Sequence, residues 1–371
     1  VGTAYTFATE KNQYGELWVW GNNSYGALGQ NSTVKYSSPV QIPGTTWKTL
    51  STGGGDNAYH AAAIKVDGTL YMWGDGSQGQ LGNNSTNPEN YSSPIQVPGT
   101  TWKYISGRGS NIATKTDNTL WTWGTNTKGQ LGQNNITKYS SPAQIPGTNW
   151  SIANKHTISF GAMTTYAIKT DNTLWVMGYN HKGQAAQNNT SPENYSSPTQ
   201  IPGTTWAAIS SFTYGTIATK TDGTLWSWGL NEYGQLGVND RTNRSSPIQV
   251  GTDTTWGILN AAVSRRGVAA IKTDGTLWQW GSNTNGGMGG TGTRSSPTQI
   301  PGTTWKEVGI GDDGSRIAVK TDGTMWAWGD NAKGQLGQNN ETEYNSPVQI
   351  PGTSWFSVSA RRLMSMAIKQ I

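Results

Sequence analysis

Residues that could carry acid–base or nucleophilic chemistry are few in this chain. Three of its 371 residues are histidines and none is a cysteine. His60, His156 and His181 share no spacing, so we expect surface residues rather than bases or metal ligands. The glycine run at 53–55 lacks the residues of a phosphate loop, and no calcium-loop spacing occurs. The sequence predicts no catalytic site, no metal site and no cofactor.

The residues best suited to bind a partner are arginines and aromatic side chains in short variable segments. These segments hold six of the nine arginines. Variable arginines and aromatic rings on a rigid scaffold are typical of a binding surface, and sequence drift in unconstrained loops is the alternative. The candidate partner-binding residues are Tyr59, His60, Arg108, Phe212, Tyr214, Arg265, Arg266, Arg316, Arg361 and Arg362.

One variable segment occurs in each unit of an internal repeat. The motif Leu-Trp-x-Trp-Gly occurs seven times with variants, at intervals of about 50 residues. A second motif, Pro-Gly-Thr-Thr-Trp, also occurs seven times, and the copy before Trp256 lacks the proline. All 19 tryptophans belong to these two motifs. We expect them to pack the units together, with indole N–H groups bonded to backbone.

Each unit is predicted to form four short strands, here named A to D. Strand A begins at the second motif, strand B is a short segment such as Ile112–Lys115, and strand C is the alternating Leu-Trp-x-Trp. Between strands B and C, pairs such as Asp67-Gly68 predict a two-residue type I′ hairpin turn, because that turn needs positive φ. Strand D contains Ser-Pro, and its proline fits only an edge strand. The variable segments are therefore the A–B loops.

Seven such units without helical periodicity predict an all-β fold. We expect a seven-bladed β-propeller of four-stranded antiparallel blades, forming a single domain over residues 1–371. The ring should be closed by N- and C-terminal strands. Two segments, 5–9 and 366–369, could supply strand B of the closing blade. We expect the C-terminal strands to join the strand at 17–20.

One sequence motif resembles the signature of a known repeat family. The segment Trp123-Gly-Thr-Asn-Thr-Lys-Gly-Gln-Leu-Gly132 resembles the regulator of chromosome condensation repeat, and the segments at 228–237 and 328–337 match it equally. Degenerate copies stand at 20–29, 73–82, 177–186 and 280–289. The resemblance implies a seven-bladed propeller. It leaves function open, because the family includes a nuclear exchange factor for a small GTPase, a plant UV-B photoreceptor and a bacterial β-lactamase inhibitor.

Charge and hydropathy narrow the classes of partner. The net charge of +5 over this length is weak support for polyanion binding, so we do not expect a nucleic-acid partner. No apolar run approaches the 18 residues of a membrane-spanning helix. The first residues lack the pattern of a signal peptide, although the missing initiator Met leaves a processed start open.

Strand order places the A–B and C–D loops on one face, with the A–B loops nearer the axis. The opposite face should carry a ring of solvated lysines, with polyanion binding as the alternative. These lysines are Lys65, Lys115, Lys169, Lys220, Lys272 and Lys320. The asparagine of Trp-Gly-x-Asn is expected to form a turn rather than a ligand site.

These observations favour a non-enzymatic interaction or structural module. It would bind a protein partner, or assemble with itself, through the A–B loop face. The surface rich in Asn, Thr and Gly favours a bacterial or phage surface protein, extracellular or in a virion. The alternatives are a regulator like a guanine-nucleotide exchange factor and a carbohydrate-binding propeller. Sugar binding would use aromatic rings before strand D, which are Tyr36, Tyr91, Tyr139, Tyr195 and Tyr344.

Overall fold

A computed structural model describes residues 13–54, 59–85, 90–257, 260–264, 266–283, 292–312, 314–361 and 363–371. Within these residues the chain forms 27 β-strands and one 3₁₀ helix at Lys155–Thr157. The strands are β1 (Gly15–Gly21), β2 (Tyr36–Gly54), β3 (Tyr59–Lys65), β4 (Leu70–Gly74), β5 (Tyr91–Val97), β6 (Trp102–Gly107), β7 (Ser110–Lys115), β8 (Leu120–Gly124), β9 (Tyr139–Ile145), β10 (Ile158–Phe160), β11 (Thr164–Ile168), β12 (Leu174–Tyr179), β13 (Asn194–Ile201), β14 (Trp206–Ser211), β15 (Gly215–Lys220), β16 (Leu225–Gly229), β17 (Arg244–Gln249), β18 (Asn260–Val263), β19 (Gly267–Ile271), β20 (Leu277–Gly281), β21 (Arg294–Ile300), β22 (Trp305–Ile310), β23 (Arg316–Lys320), β24 (Met325–Gly329), β25 (Tyr344–Ile350), β26 (Trp355–Arg361) and β27 (Met364–Gln370).

The strands form seven blades, as the repeat predicts. Five sheets have four strands each, and a sixth has seven strands in the order β26-β27-β1-β2-β3-β4-β5. That larger sheet is two blades joined by the long strand β2, which is strand D of blade 1 and strand A of blade 2. Blade 1 contains β26, β27, β1 and the first half of β2, and blade 2 contains its second half with β3–β5. Blades 3 to 7 are β6–β9, β10–β13, β14–β17, β18–β21 and β22–β25.

Strands from both ends of the chain close the ring within blade 1. The N-terminal strand β1 pairs with β27 from Gly15↔Gln370 to Gly21↔Met364, and its other edge pairs with β2. The prediction that the C-terminal strands join the strand at 17–20 is therefore confirmed. The competing segment at 5–9 lies outside the described residues.

The hairpin between strands B and C differs from the predicted type I′ turn. Gly68 has φ of 79°, but Asp67 does not have positive φ. Gly68 N donates to Lys65 O at 3.0 Å, and Lys65 N donates to Thr69 O at 3.0 Å. This is a three-residue loop in which a type I turn is followed by a left-handed residue. The equivalent left-handed residues are Asn118, Asn172, Gly223, Gly275 and Gly323.

The aspartate of this turn is held by the residue two positions later. Asp67 Oδ1 accepts from Thr69 N at 3.0 Å and from Thr69 Oγ1 at 2.6 Å. These hydrogen bonds hold the pKa of Asp67 below its usual value. The turn therefore accounts for the repeated aspartates without a catalytic role.

Tryptophans lock neighbouring blades together, as expected. The second indole of strand C is buried, and its Nε1 donates to a carbonyl in the C–D loop of the preceding blade. Examples are Trp73 to Ala27 O at 2.8 Å and Trp123 to Gln80 O at 2.9 Å. In blade 4 Met177 replaces the indole, and Thr165 Oγ1 donates to the equivalent carbonyl of Gln130 at 2.6 Å.

The asparagine of Trp-Gly-x-Asn clamps the whole C–D loop. Asn23 Oδ1 accepts from Leu28 N at 2.9 Å, while Nδ2 donates to the carbonyls of Ser32 and Val34 at 2.9 and 2.8 Å. Buried asparagines repeat this clamp in other blades. The structural interpretation is confirmed, although the contact spans a loop rather than a local turn.

Strand D forms the outer edge of each blade, as its proline predicts. In blade 3, for example, β9 lies at the end of the sheet and pairs with β8. No helix among the described residues has the length and apolar character needed to cross a membrane.

Candidate binding surface on the loop face

The A–B loops lie beside the starts of the C–D loops, as predicted. Asp75 N donates to Tyr59 O at 2.8 Å, and Leu230 N donates to Tyr214 O at 2.8 Å. We call the side formed by these two sets of loops the loop face. The opposite side, formed by the B–C turns, is the hairpin face.

The structure describes eight of the ten candidate residues, which fall into two environments. Four were expected on an exposed surface but are at most 3% exposed, because they point between blades or toward the axis; these are His60, Arg108, Phe212 and Arg316. Four are half-buried on the loop face, namely Tyr59, Tyr214, Arg266 and Arg361. Arg265 and Arg362 lie outside the described residues.

Phe212 is a core residue rather than a contact residue. Its ring packs with Val263 and Val268 in the hydrophobic core between blades 5 and 6. A Cβ at Gly215 would come within 2.1 Å of the Phe212 ring, so this glycine makes room for it. Phe212 therefore stabilises the blade junction from the loop side.

His60 is buried between blades 2 and 3, which corrects its expected surface position. Its Nε2 lies 3.1 Å from Asn111 Oδ1, and Asn111 Nδ2 donates to Gln80 O at 2.8 Å. Burial lowers the pKa of His60 to about 4, so the ring is neutral at pH 7. His156 is half-buried at the central channel, and His181 is half-buried in an aromatic stack.

Aromatic side chains meet across two blade boundaries on the loop face. Tyr25 in the C–D loop of blade 1 stacks on Tyr59 of blade 2, with ring centroids 5.3 Å apart. His181 of blade 4 stacks on Tyr179 at 4.2 Å and meets the edge of Tyr214 of blade 5 at 4.8 Å. The Tyr25–Tyr59 and His181–Tyr214 contacts each join a C–D loop to a residue at or directly before the start of strand B of the next blade.

A third boundary uses a cation in place of a ring. The Arg266 guanidinium of blade 6 lies 5.2 Å from the ring centroid of Tyr233 in blade 5. Sequence reasoning missed the C–D loop partners Tyr25, Tyr179 and Tyr233. They could have been found from the positions marked x in Trp-Gly-x-Asn-x-x-Gly, because these positions differ between repeats as the A–B loops do.

Charged residues border the Tyr179 stack. Lys128 Nζ lies 4.5 Å from the Tyr179 ring centroid and 3.4 Å from Glu193 Oε1. Burial, and secondly the Glu193 carboxylate, raise the pKa of Tyr179. The phenol therefore stays protonated at neutral pH and can donate a hydrogen bond.

Two arginines meet a carboxylate at the inner end of the A–B loops. Arg108 Nη2 of blade 3 lies 3.3 Å from Asp312 Oδ2 of blade 7. Burial and the neighbouring Arg108 lower the pKa of Arg361 to about 9, while Asp312 opposes this shift. We call Arg108, Asp312 and Arg361 the mouth cluster.

The A strands of all seven blades line a central channel. It contains a cavity of about 160 Å³, which extends to Arg361. Lys155 Nζ from blade 4 lies 2.5 Å from Glu307 Oε1 of blade 7. Glu307 Oε1 also accepts from Val358 N at 3.1 Å and Ser357 Oγ at 3.0 Å, so an ion pair with further hydrogen bonds crosses the channel.

The lysines of the hairpin face are half-buried, and each lies over two aromatic rings of its own blade. Lys115 Nζ lies 4.6 Å from the ring centroid of Trp102 and 4.1 Å from that of Trp121. Trp121 Nε1 donates to Thr119 Oγ1 at 2.8 Å. The same stacking recurs at Lys65, Lys169, Lys220, Lys272 and Lys320.

The tyrosines proposed as sugar platforms are packed against blade cores. All five are half-buried and contact the hydrophobic clusters; they are Tyr36, Tyr91, Tyr139, Tyr195 and Tyr344. Tyr139 OH also accepts from Asn135 Nδ2 at 3.1 Å. Among the described residues no three His, Asp or Glu side chains are grouped as a metal site would require.

The repeat, the propeller and the closing blade together define a family of proteins. The model of the regulator of chromosome condensation (RCC1) repeat matches residues 14–57, 67–107, 117–168, 222–271 and 322–367, which is more than half of the chain. The chain therefore belongs to the regulator of chromosome condensation repeat family.

Two curated relatives show the range of that family. The ultraviolet-B receptor UVR8 of Arabidopsis thaliana is 26% identical over 283 residues, covering 74% of this chain and 62% of the receptor. The regulator of chromosome condensation of Xenopus laevis is 27% identical over 314 residues, covering 81% of this chain and 63% of the regulator. The chain thus spans less than two thirds of either relative.

Solved structures share the fold at low sequence identity. Human WBSCR16 superposes with a TM-score of 0.82 at 19% identity, covering 96% of this chain and all of that one. Yeast RCC1 (Prp20), solved bound to Kap60, superposes with a TM-score of 0.81 at 18% identity, covering 100% and 95% of the two chains.

Proposed function

We propose that this protein is a non-enzymatic interaction module that binds a protein partner through the loop face. The observation that carries this proposal is the set of inter-blade contacts made by Tyr25–Tyr59, Tyr214–His181 and Arg266–Tyr233. The residues that carry most of the binding energy of protein interfaces are enriched in tyrosine and arginine, and tyrosine supplies large, rigid contact area.

The family supports the same class of function. The solved Prp20 structures concern binding of Kap60 in one case and binding properties to Gsp1p and histones in the other. Those binding partners were studied for Prp20 itself. For this chain they support protein binding as the general mode, and the residues of the loop face set which partner it takes.

The candidate residues contribute in different ways. Tyr59, Tyr214 and Arg266 would contact the partner directly, since they are half-buried on the loop face. His60, Phe212 and Arg316 would support the surface from within the blade junctions. Arg265 and Arg362 belong to the same loops by sequence and stay predicted contact residues.

The test compares a loop-face variant with a hairpin-face variant. The loop-face variant combines Tyr25→Ser, Tyr214→Ser and Arg266→Ser, and the matched control combines Lys115→Gln and Lys220→Gln. Proteins that co-purify with each form from the native host are quantified by mass spectrometry, and circular dichroism checks folding. We expect specific partners to be lost from the loop-face variant and kept by the control. Equal retention by both folded variants would reject the proposal.

Self-assembly is measured in the same samples. Sedimentation of the wild type should show whether the loop face joins two copies, and the loop-face variant should then be monomeric.

The further proposal of a bacterial or phage surface protein, extracellular or in a virion, is supported by the surface rich in Asn, Thr and Gly. Detection of the protein in purified particles or in the cell-surface fraction tests it.

A second candidate function is a regulator like a guanine-nucleotide exchange factor. The similarity to the Xenopus regulator over 81% of this chain favours it. Release of a fluorescent guanine nucleotide from a small GTPase of the host tests this function. Acceleration by the wild type, lost in the loop-face variant, would support it.

A further inference from the structure

The mouth cluster contains arginine N–H groups without acceptors. Within the described residues, Nε and Nη1 of Arg108 and Nε and Nη2 of Arg361 have neither a hydrogen-bond partner nor contact with solvent. Buried guanidinium nitrogens normally bond to an acceptor, because an unpaired buried donor on a charged group is costly. Four nitrogens of this kind on two adjacent side chains indicate a ligand with several acceptor atoms.

The mouth cluster carries more positive than negative charge. Arg361 is protonated at pH 7, since even its lowered pKa, about 9, lies above neutrality. The neutral ring of His60 adds no charge. Within the mouth cluster one described carboxylate, that of Asp312, lies beside the two cations, at 3.3 Å from Arg108, and the carboxylate of Asp75 acts on the neighbouring His60. The mouth cluster therefore attracts a further negative charge.

The channel provides room next to Arg361. The cavity of about 160 Å³ extends to Arg361 and is bordered by Ser51, Thr52 and Ser359. The hydroxyls of Thr52 and Ser359 lie 2.7 Å apart, so each can donate or accept in turn. One water occupies roughly 30 Å³ in the liquid, so the cavity can hold a tetrahedral oxyanion. The acidic Glu307 in the same channel is already paired with Lys155.

We propose that the mouth of the channel is a binding site for a small inorganic oxyanion of the phosphate or sulfate class. Arg361, which lines the channel, would donate to it through its planar guanidinium fork, which matches a tetrahedral oxyanion better than an ammonium does, and Arg108 beside it would add positive charge. The hydroxyls of Thr52 and Ser359 complete the donor set. This site goes beyond the proposed partner surface, because it requires no protein partner.

Asp312 competes with the anion in this arrangement. It occupies Arg108 and adds a negative charge beside the site. Removing its charge should therefore tighten anion binding, whereas removing an arginine should weaken it. These opposite effects separate a binding site from a purely structural ion pair, for which both changes only lower stability.

Isothermal titration calorimetry of the full chain with sodium phosphate and sodium sulfate at pH 7 tests the site. Sodium chloride keeps the ionic strength constant and serves as the comparison anion. We expect saturable one-site binding of phosphate or sulfate to the wild type. Arg361→Gln should weaken it about tenfold and Arg361→Lys less, since lysine keeps the charge without the fork.

Two further variants complete the experiment. Asp312→Asn should bind the anion about threefold more tightly, because a nearby opposing charge is gone. Arg244→Gln removes an arginine from an ion pair with Asp240 away from the mouth and should leave binding unchanged. Circular dichroism verifies folding, and Arg361→Lys with Asp312→Asn carry the test if Arg361→Gln does not fold.

Three results would overturn the assignment. One is wild-type heat no larger for phosphate and sulfate than for chloride. Another is unchanged affinity in the folded Arg361 variants together with no gain in Asp312→Asn. The third is tighter binding of phosphoserine than of phosphate, which would show that the site takes a chain-borne phosphate rather than a free anion.

Discussion

Neighbouring blades meet differently on the two faces of the ring. On the hairpin face a lysine is stacked on two aromatic rings in blade after blade, as at Lys115 with Trp102 and Trp121. On the loop face the contact changes from one boundary to the next. Tyr25 stacks on Tyr59 at one boundary, and Arg266 covers Tyr233 at another.

This difference shows that the contacts that stabilise the ring are distinct from the contacts whose residues can vary. The repeated indoles and lysines make the same contact in each blade, so each copy contributes similarly to stability. The loop-face contacts are partly exposed and involve few side chains, so their residues can change at small cost in folding free energy. Function is expected where the repeat permits variation.

The largest expected effect is on the buried indoles between blades. Trp123→Ala should lower the free energy of unfolding by about 3–5 kcal/mol, because it leaves a large cavity. Trp123→Met copies blade 4, where Met177 is native, and should cost less; Gln80 O also keeps its bond from Asn111. Urea denaturation followed by circular dichroism measures both. A cost for Trp123→Ala no larger than that for Trp123→Met would contradict this account.

As the pH falls, the free energy of unfolding should decrease first through His60 on the loop side and only at lower pH through the turn aspartates of the hairpin face. The pKa of His60 falls from 6.5 to about 4 on burial, so the unfolded chain binds more protons between these values. Stability should fall as pH drops through this window, by on the order of 3 kcal/mol for this group. The turn aspartates have lowered pKa values, so their contribution is lost only below about 3.8.

The variant His60→Gln separates these two windows. It should reduce the pH dependence of the urea midpoint between pH 6.5 and 4 while leaving the part due to His156, whose pKa burial lowers to about 3, and the decline below pH 3.8. The Gln amide can still bond to Asn111. An unchanged slope in the upper window would show that His60 is not the titrating group.

A smaller effect is expected on the hairpin face. Lys115→Gln removes the ammonium from Trp102 and Trp121 and should cost about 1 kcal/mol. Lys138 is exposed, and Lys138→Gln is the matched control. Urea denaturation in low and high salt compares the two. Equal costs would mean that the lysine ring is only a solvated edge.

The smallest effect on stability is expected on the loop face. Tyr233→Ala removes one ring beneath Arg266 and should cost about 0.5–1 kcal/mol, since the contact is partly solvated. Partner capture should nevertheless decrease severely, whereas Lys115→Gln is expected to cost more stability and leave capture unchanged. A Tyr233→Ala protein that captures partners like the wild type would remove this boundary from the binding surface.

The fold could be predicted because its determinants recur along the sequence. Seven copies of Leu-Trp-x-Trp fixed the number of blades, and the match between 17–20 and the C-terminal segment located the closure. The turn type was wrong because Asp67 uses its carboxylate to accept from Thr69, which favours a type I turn over positive φ at the aspartate.

The loop face was only partly predictable. The sequence located its A–B loops but not the burial of Arg108 and His60, since burial depends on side chains from the adjacent blade. Similarly, Tyr25 and Tyr59 belong to different repeats, and no spacing within one repeat places them together. Such contacts arise only when the ring has closed.

The shared closing blade has a consequence for biosynthesis. Because β1 pairs with β27, the first of these strands leaves the ribosome long before its neighbour exists. Until then one edge of β1 presents unpaired backbone groups, which can template another strand. A β27 donated by a second nascent copy would satisfy that edge, so crowded translation on one messenger favours domain-swapped dimers.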